Sequence, residues 1–334
     1  MNNFWQSTQK PIIALAPMED VTDTVFREVL LSISEPGTLN VVFTEFTSTD
    51  GMCNDWGRTK VSRRLQVNDT ERAILKARNI PLVAQIWGSS PEKFAKTAAM
   101  ITEMQRFDGI DINMGCPVEK VVKKQCCAAL INNPALASEI IMATVESTPL
   151  PVSVKTRIGF NSIVTESWIS HLLESPLSAI ILHGRTQKMK SEGLALWDEI
   201  GKAVRLRNES GKDIVMLGNG DVDSLALAHS HMQNHGVDGV MVGTGVFKNP
   251  WMFNHHNSEA DMLQRMDLLQ KHIELYESTW GRQKDYAMLK RFYKIYLNSF
   301  PGAAEWRDKL MHSTDHAQAL AIIEELRLAD IVMP

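Results

Sequence analysis

The chain has 334 residues, of which 44% are hydrophobic and 22% are charged, and its formal net charge is −4 at pH 7. This composition is typical of a folded globular protein and excludes a disordered or fibrous one. The negative total also argues against a protein that coats nucleic acid nonspecifically, although it leaves room for a local basic surface.

The N-terminal residues MNNFWQSTQKP lack the basic start and the apolar stretch of a signal peptide, and no run of about 18 apolar residues follows. We therefore expect a cytoplasmic protein without a membrane anchor. The four cysteines, at positions 53, 116, 126 and 127, show neither a disulfide framework nor the paired spacing of a zinc site, so we expect reduced thiols.

Eight short apolar runs recur along the chain and predict buried strands. In order they are IIALAPM (12–18), VVFTEF (41–46), PLVAQI (81–86), GIDINMG (109–115), PVSVKTR (151–157), AIILHGR (179–185), IVMLGNG (214–220) and GVMVGTG (239–245). Near-continuous apolar runs of this length are typical of strands that are buried on both faces of a parallel sheet. The gaps between them are long enough for crossover helices.

One gap shows its helix directly. Ser90 is a good N-cap, Pro91 suits the first helical position, and Phe94 and Ile101 follow at helical spacing. Eight strands separated by seven helix-sized gaps predict an α/β fold, the (β/α)8 or TIM barrel, over residues 1–254. A doubly wound open sheet is the competing fold, but the segment APMEDVTD after the first run lacks the G-x-G-x-x-G pattern of that fold.

Beyond the eighth run the apolar pattern changes to a helical period. Met262, Met266, Leu269 and Ile273 lie on one stripe, and no strand-like run reappears. We therefore predict a small all-helical C-terminal domain at 255–334.

In a (β/α)8 barrel the active site is built at the C-terminal ends of the strands, so the residues that close the runs, which as a group are unusually polar, are candidate functional residues. They are Pro17, Met18, Glu19, Thr44, Glu45, Gln85, Asn113, Cys116, Lys155, Arg157, His183, Arg185, Asn219, Asp221, Gly243 and Thr244. The histidine-rich segment HSHMQNH at 229–235 instead falls in a helix-sized gap, and we expect no metal site there.

Glycine turns follow the last two runs, LGNGDVDS after the seventh and VGTGVFKNP after the eighth. Many barrels of this type hold a phosphate group with backbone N–H groups at these two positions, so we expect a phosphorylated cofactor. Lys155 and His183, at the ends of the fifth and sixth runs, suit a flavin, because the reduced ring carries negative charge.

Several motifs together resemble one family. The segments APMEDVTD, TEF, NMGCPVEKVVKK, VSVKTRIG, HGRT, NGD and GTGVFKNPW closely resemble the tRNA-dihydrouridine synthases, which are FMN-dependent enzymes that reduce uridines of tRNA to 5,6-dihydrouridine. The resemblance spans most of the chain, and the segment NMGCP with its continuation KVVKK is its most specific part. The chain departs from the family at Thr244, where arginine is common, and at Cys126 and Cys127, where glycine, alanine or similar small residues are common.

The resemblance implies a catalytic role for Cys116, which would protonate C5 of uracil while reduced FMN delivers hydride to C6. An unperturbed thiol has a pKa of about 8.5 and holds its proton at neutral pH, which suits this role. The resemblance also implies NADPH as reductant and a target base that leaves the tRNA stack. The implied FMN-binding residues are Pro17, Met18, Gln85, Asn113, Lys155, His183, Asn219, Asp221, Gly243 and Thr244.

A basic segment is the expected tRNA surface. Residues 281–309 contain seven basic and three acidic residues, and basic groups beside aromatic rings are typical of RNA-binding surfaces. The aromatic residues among these charges are Tyr286, Phe292, Tyr293 and Trp306. The expected substrate-binding residues are Lys120, Arg185, Lys290 and Arg291.

Two alternative functions stay open on the sequence alone. One is an FMN-dependent TIM-barrel oxidoreductase that acts on a small molecule, with a helical tail that is only structural. The other is a tRNA-binding or chaperone-like module whose flavin is vestigial. Whichever function holds, we expect a monomer.

Overall fold

The computed structural model describes residues 3–254, 260–298 and 300–332. The strands in this part of the chain are β1 (Ile12–Leu15), β2 (Val41–Phe43), β3 (Thr47–Ser48), β4 (Leu82–Trp87), β5 (Gly109–Met114), β6 (Val152–Arg157), β7 (Ala179–His183), β8 (Val215–Asn219) and β9 (Gly239–Val242). Neighbouring strands are parallel, and β1 pairs with both β2 and β9 while β2 also pairs with β4, so the sheet closes. Because β3 only extends the pairing along β4, the barrel has eight strand positions and the predicted fold is confirmed.

Helices follow the barrel strands and continue beyond them. The α-helices are α1 (Phe4–Ser7), α2 (Thr24–Ile33), α3 (Thr49–Met52), α4 (Asp55–Val61), α5 (Asp69–Arg78), α6 (Pro91–Glu103), α7 (Glu119–Val122), α8 (Pro134–Glu146), α9 (Thr165–Leu173), α10 (Trp197–Ser210), α11 (Leu225–His235), α12 (Gly245–Lys248), α13 (Met262–Trp280), α14 (Tyr293–Tyr296), α15 (Ala303–His312) and α16 (His316–Val332). Short 3₁₀ segments lie at Ser62–Leu65, Cys127–Asn132, Pro250–Phe253 and Tyr286–Phe292. Among the described residues, no helix combines the length and the apolar character needed to cross a membrane.

The predicted helix after β4 is confirmed as α6. It begins at Pro91, and the side chain of Ser90 accepts a hydrogen bond from the backbone N–H of Lys93 at 3.4 Å. Phe94 and Ile101 are fully buried against the barrel. The cap and the apolar stripe therefore act together to set where the helix begins and which face it buries.

The core has two layers, because side chains of a strand point alternately to its two faces. One cluster fills the inside of the barrel and includes Ile12, Phe43 and Leu217, and a larger one lies between the strands and the helices. Trp5 of α1 is fully buried in the inner cluster, with its ring 6.3 Å from that of Phe43. Phe4 packs against Gly109 at the start of β5, so α1 closes the end of the barrel opposite the active-site mouth.

The C-terminal helical region begins with α13. A capping box between Asp261 and Gln264 starts this helix, and Met266, Leu269 and Ile273 form its buried stripe as predicted. The predicted start of the second domain at residue 255 lies outside the described residues, so the division of the chain at 254 stays a prediction.

The helical region packs directly on the C-terminal side of the barrel. The ring of Phe292 stacks on Phe26 of α2 with centroids 5.0 Å apart. Asp23, which caps α2, accepts hydrogen bonds from Trp280 Nε1 and Lys284 Nζ, each at 2.8 Å. An apolar stack and a buried ion pair therefore hold the helical region beside the loop that follows β1.

Candidate active site

The loop after β5 carries Cys116 at the C-terminal mouth of the barrel. The Oδ1 atom of Asn113 accepts hydrogen bonds from the backbone N–H of Gly115 at 3.1 Å and of Cys116 at 2.9 Å. These bonds close a tight turn and leave Cys116 partly exposed rather than in the packed core. Cys116 therefore lies at the edge of the barrel mouth and not inside the core, and its contact with a ligand stays a prediction.

A chain of buried polar side chains supports this turn from inside the barrel. Asn113 Nδ2 donates to Gln85 Oε1 at 2.9 Å, and Gln85 Nε2 donates to Asp111 Oδ2 at 2.6 Å. Ser153 Oγ donates to the other oxygen of Asp111 at 2.6 Å. Because an ionised carboxylate only accepts hydrogen bonds, Asp111 fixes the orientation of both amides, and the oxygen of Asn113 must face the turn.

Sequence reasoning does not single out Asp111, because it lies within an apolar run rather than at its end. The available signal is its spacing, since Asp111 and Asn113 are two residues apart and point to the same face of β5. Burial raises the pKa of Asp111 to about 6, so the carboxyl group is still mostly ionised at pH 7.

Replacing Asp111 by leucine tests this support. We expect Asp111→Leu to lower the free energy of unfolding by about 1–3 kcal/mol for each of the two donors that lose their acceptor. Asp111→Asn keeps an acceptor for Gln85 and is the matched control, with a smaller expected loss. Urea denaturation followed by circular dichroism measures both, and equal losses for the two variants would contradict the assignment.

Arg157 at the end of β6 joins the Cys116 turn to the loop after β7. Its Nε donates to the carbonyl of Gly115 at 2.6 Å, and its Nη1 donates to the carbonyls of Thr186 at 3.0 Å and Lys190 at 2.8 Å. Gln187 Nε2 adds a bond to the carbonyl of Pro117 at 3.0 Å. The loop after β7 therefore lies against the Cys116 turn and shields one side of it from water.

A lysine and a histidine lie on the neighbouring strands, as predicted. Lys155 pairs in register with Asn113 across β5 and β6, and its Nζ donates to Asn219 Oδ1 at 2.9 Å. Burial lowers the pKa of Lys155 to about 8, with the Arg157 charge adding to the effect. Burial and three nearby cations also hold the pKa of His183 well below its usual range, so this imidazole is neutral at pH 7.

This arrangement fits a flavin. The ammonium of Lys155 faces the mouth beside a neutral amide and a neutral imidazole, and it still carries its charge at pH 7. A cation in such surroundings favours an electron-rich ring that gains negative charge on reduction. Gln85, Asn113, Lys155, His183 and Asn219 are thus brought together at one end of the barrel.

The glycine turns after β8 and β9 lie next to each other at the same mouth. A Cβ atom on Gly245 would lie 2.1 Å from the carbonyl oxygen of Val222, so only glycine permits this approach of the two turns. A cavity of about 290 Å³ opens beside them, and Asp221, Thr244 and Gly245 help to line it. Of the predicted phosphate-binding residues, Asp221 and Thr244 border this cavity, whereas Asn219 and Gly243 are not among its lining residues.

Arg185 has a different environment from the one expected of a tRNA-binding residue. It is buried, and its Nη2 contacts both carboxylate oxygens of Asp221 at 2.7 Å. Burial opposes ionisation of Asp221, but the hydrogen bonds and charge of Arg185 outweigh it and lower the pKa of Asp221. The structure thus gives Arg185 a role in shaping the cavity wall, and its contact with tRNA stays a prediction.

The thiol environment corrects one expectation. A hydrogen bond with the Cys127 thiol lowers the pKa of Cys116 to about 7, even though burial acts in the opposite direction. The expectation of an unperturbed thiol is therefore wrong, and Cys116 is a stronger acid than a free cysteine. Cys127 itself is fully buried, and burial raises its pKa well above the usual range.

The loop after β1 borders the mouth from the side of the helical region. Pro17 and Met18 are partly buried there, and the backbone N–H of Met18 donates to Thr22 Oγ1 at 2.8 Å. Arg291 is exposed, and its Nη1 donates to the carbonyl of Asp20 in this loop at 3.2 Å. The basic segment therefore reaches the edge of the active site.

Not every residue of the basic segment faces solvent. Lys120 in α7 is exposed, whereas Lys290 is partly buried and its Nζ donates to the carbonyl of Met311 at 2.7 Å. Phe292 and Tyr293 are buried, so the expectation that they stand among the surface charges is wrong. These two side chains pack inside the helical region and are not available to stack on bases.

The histidine-rich segment forms part of α11. The ring of His231 stacks on Trp197 with centroids 3.7 Å apart, which gives it a packing role. Within residues 3–254, 260–298 and 300–332, no group of three or more His, Cys, Asp or Glu side chains is placed to hold a metal ion.

Known protein families and sequences match most of the chain. A model of the family described as dihydrouridine synthase matches residues 14–331. The "Probable tRNA-dihydrouridine synthase" of Staphylococcus aureus (strain COL) is 39% identical over 327 residues, which cover 97% of this chain and 95% of that protein. The "Probable tRNA-dihydrouridine synthase 2" of Bacillus subtilis (strain 168) is 39% identical over 322 residues, with 95% of each chain covered.

A solved structure shows the fold at much lower identity. Histamine dehydrogenase from Rhizobium sp. 4-9 superposes with a TM-score of 0.53 at 11% identity, covering 79% of this chain and 48% of that one. At this identity the likeness concerns the barrel architecture alone.

Proposed function

The chain belongs to the dihydrouridine synthase family, and on this premise we propose that it reduces uridines of tRNA to 5,6-dihydrouridine with FMN as its cofactor. The observation that carries the proposal is the position of Cys116, a partly exposed thiol that ends β5 beside Lys155 of β6. An acid and a cation on adjacent strand ends suit a reduction in which a ring receives hydride and then a proton.

FMN would be held by the residues that the mouth brings together. Lys155, His183 and Gln85 would contact the ring, and the backbone of the glycine turns with Thr244 would hold the phosphate group beside the cavity that Asp221 also lines. When bound, FMN supplies the hydride that reduces C6 of uracil, and NADPH is the proposed source of that hydride.

Cys116 would donate its thiol proton to C5 of the uracil ring. Asn113 fixes the turn that carries the thiol, and Arg157 joins this turn to the loop after β7, so the donor is held in place and partly shielded. A pKa of about 7, set by the Cys127 hydrogen bond, leaves Cys116 able both to hold a proton near neutral pH and to release it readily.

The pH dependence of turnover tests the protonation state of Cys116. We expect the rate of uridine reduction by pre-reduced enzyme to fall as pH rises above about 7, because the thiol must carry its proton before it can donate it. Cys127→Gly removes the hydrogen bond that lowers the Cys116 pKa, and glycine suits the backbone φ of +55° at this position. The descending limb should therefore move to higher pH in this variant. An unchanged limb would contradict the role of Cys127.

The tRNA surface is proposed to extend from the Cys116 loop to the helical region. We expect Lys120→Ala and Arg291→Ala each to raise KM for tRNA while kcat changes little, because they would neutralise phosphates rather than contact the target base. The slope of log affinity against log salt should fall by about one for each. Lys96→Ala on α6 is the matched control, since Lys96 is exposed and pairs with Glu92. Equal effects at Lys96 would contradict the assigned surface.

A direct assay tests the proposed function. The purified chain, supplied with FMN and NADPH, is incubated with unmodified tRNA transcripts, and the nucleosides are analysed by mass spectrometry. We expect a uridine that has gained two hydrogen atoms and a flavin spectrum that bleaches with NADPH. A chain that takes up no FMN, or that consumes NADPH without forming dihydrouridine, would overturn the proposal.

A further inference from the structure

We propose that Cys116 and Cys127 are a built-in oxidation site, at which a peroxide converts the two thiols into a disulfide. The site lies on the turn after β5 and on the 3₁₀ segment Cys127–Asn132 that folds back beneath it. Its consequence for catalysis, the reversible loss of the proton donor, rests on the function proposed above. The disulfide itself does not depend on that function.

The backbone brings the two cysteines together. The backbone N–H of Ala128 donates to the carbonyl of Cys116 at 3.4 Å, so the chain returns to its starting point across the loop that contains α7. The two side chains lie close to each other across this return, because the Cys127 thiol is the strongest of the influences that lower the pKa of the Cys116 thiol.

Cys127 adopts a backbone conformation that favours glycine. Its φ is +55°, in the left-handed region, where few residues with a Cβ atom are found outside Asn and Asp. The side chain is also fully buried, so it points beneath the turn and not to solvent. Glycine would suit this backbone better, so the cysteine is not there for the sake of the turn.

The two thiols differ in the way that stepwise oxidation requires. Cys116 is partly exposed at the mouth, whereas Cys127 is buried. A pKa of about 7 gives Cys116 a substantial thiolate fraction at neutral pH, and the thiolate is the form that attacks peroxide. Cys127 keeps its proton and is placed to react second.

Hydrogen peroxide is the only reactant that the two cysteines need to form the disulfide. The Cys116 thiolate attacks one oxygen of hydrogen peroxide, the O–O bond breaks, and Cys116 becomes a sulfenic acid as hydroxide leaves. The sulfur of Cys127 then attacks the Cys116 sulfur, the S–O bond breaks, and a second hydroxide takes up the Cys127 proton to leave as water. Each sulfur loses one electron in total, and the peroxide is reduced to one water and one hydroxide, which becomes a second water by taking up the proton that Cys116 released when it ionised.

Cys126 provides the matched control. It neighbours Cys127 in the chain and is equally buried, but its thiol donates to the carbonyl of Lys124 at 3.4 Å rather than facing Cys116. Oxidation at the mouth should therefore link Cys116 to Cys127 and not to Cys126, although the two candidates differ by one position.

The test exposes the FMN-loaded chain to hydrogen peroxide and maps disulfides by mass spectrometry of peptides before and after dithiothreitol. We expect a Cys116–Cys127 linkage in the unsubstituted chain and in Cys126→Ser, and none in Cys127→Gly. The loss of uridine reduction should follow the fraction of chains that carry the linkage, and fully linked protein should be slower by about two orders of magnitude or more. Dithiothreitol should restore the activity. In Cys127→Gly the loss should develop more slowly, because the higher pKa of Cys116 leaves less thiolate, and it should resist dithiothreitol, because Cys116 then proceeds to sulfinic acid.

The outcomes separate this proposal from the proposed function. Linkage of Cys116 to Cys126, or sulfinic acid at Cys116 without any linkage in the unsubstituted chain, would overturn the oxidation site. A Cys116–Cys127 disulfide that forms while turnover stays unchanged would support the oxidation site and overturn the role of Cys116 as proton donor.

Discussion

Cys116→Ala is expected to lower kcat/KM for tRNA by about two to four orders of magnitude, the usual contribution of a positioned acid. The reason is that C5 of uracil must gain a proton, and Cys116 is the partly exposed acid at the end of β5. Flavin content and the rate of flavin bleaching by NADPH should stay close to those of the unsubstituted chain, because neither requires this proton. Rapid mixing of pre-reduced enzyme with tRNA measures the affected step directly.

Cys53→Ala is the control for this prediction. Cys53 is also a partly exposed free thiol, but its thiol contacts the carbonyl of Lys93 in the first turn of α6, at 3.7 Å. The Cys53→Ala variant should reduce uridine at the normal rate. A Cys116→Ala variant within a few-fold of full activity would exclude the thiol as the acid and favour a water or another group. Full loss of tRNA binding in that variant would instead indicate a structural role for the turn.

The parts of the fold that could be predicted from sequence are those with local causes. The eight strand positions follow from short apolar runs, and the start of α6 follows from Ser90 and Pro91, which are adjacent to the helix that they cap. The buried stripe of α13 follows in the same way from the helical period. The match to the dihydrouridine synthase family confirms the resemblance that the strand-end motifs indicate.

The parts that could not be predicted depend on pairs that are distant in sequence. Asp111 acts through Gln85, which lies 26 residues away, and an isolated carboxylate in an apolar run gives no sign of that partner. The lowered pKa of Cys116 depends on Cys127, which the chain brings back beside Cys116 with a positive φ. Neither the return of the chain nor the φ angle can be read from the sequence. Arg185 has a basic side chain that suits tRNA, but its pairing with Asp221 requires the closed barrel.

A buried ion pair between residues that are distant in sequence supports one loop of the barrel mouth. Arg27 of α2 and Glu71 of α5 are 44 residues apart, both are fully buried, and their side chains form two hydrogen bonds of 2.6 and 2.8 Å. Arg27 Nη1 also donates to the carbonyl of Thr22 at 2.8 Å, and Thr22 Oγ1 holds the backbone of Met18. The pair therefore supports the loop after β1 that is proposed to contact FMN.

Glu71→Gln is expected to lower the free energy of unfolding by about 3–5 kcal/mol, because it leaves the Arg27 charge buried without its counterion. This loss is a large part of the total stability of about 5–15 kcal/mol that is usual for a folded domain. FMN affinity should fall as well, since the Thr22 carbonyl loses its fixed donor. Denaturant titration of the FMN-free chain and fluorescence titration with FMN measure the two effects.

Two further variants decide whether charge burial is the cause. Glu119→Gln removes one partner of the exposed pair with Lys123 and should change the free energy of unfolding by less than about 1 kcal/mol. The double variant Arg27→Met with Glu71→Leu removes both buried charges and should recover most of the stability that Glu71→Gln loses, because apolar side chains of similar size fill the same space. A double variant no more stable than Glu71→Gln would show that the loss comes from broken hydrogen bonds to Thr22 and Thr24 and not from an unpaired charge. That outcome would leave the loop after β1 dependent on the hydrogen-bonding geometry of Arg27 alone.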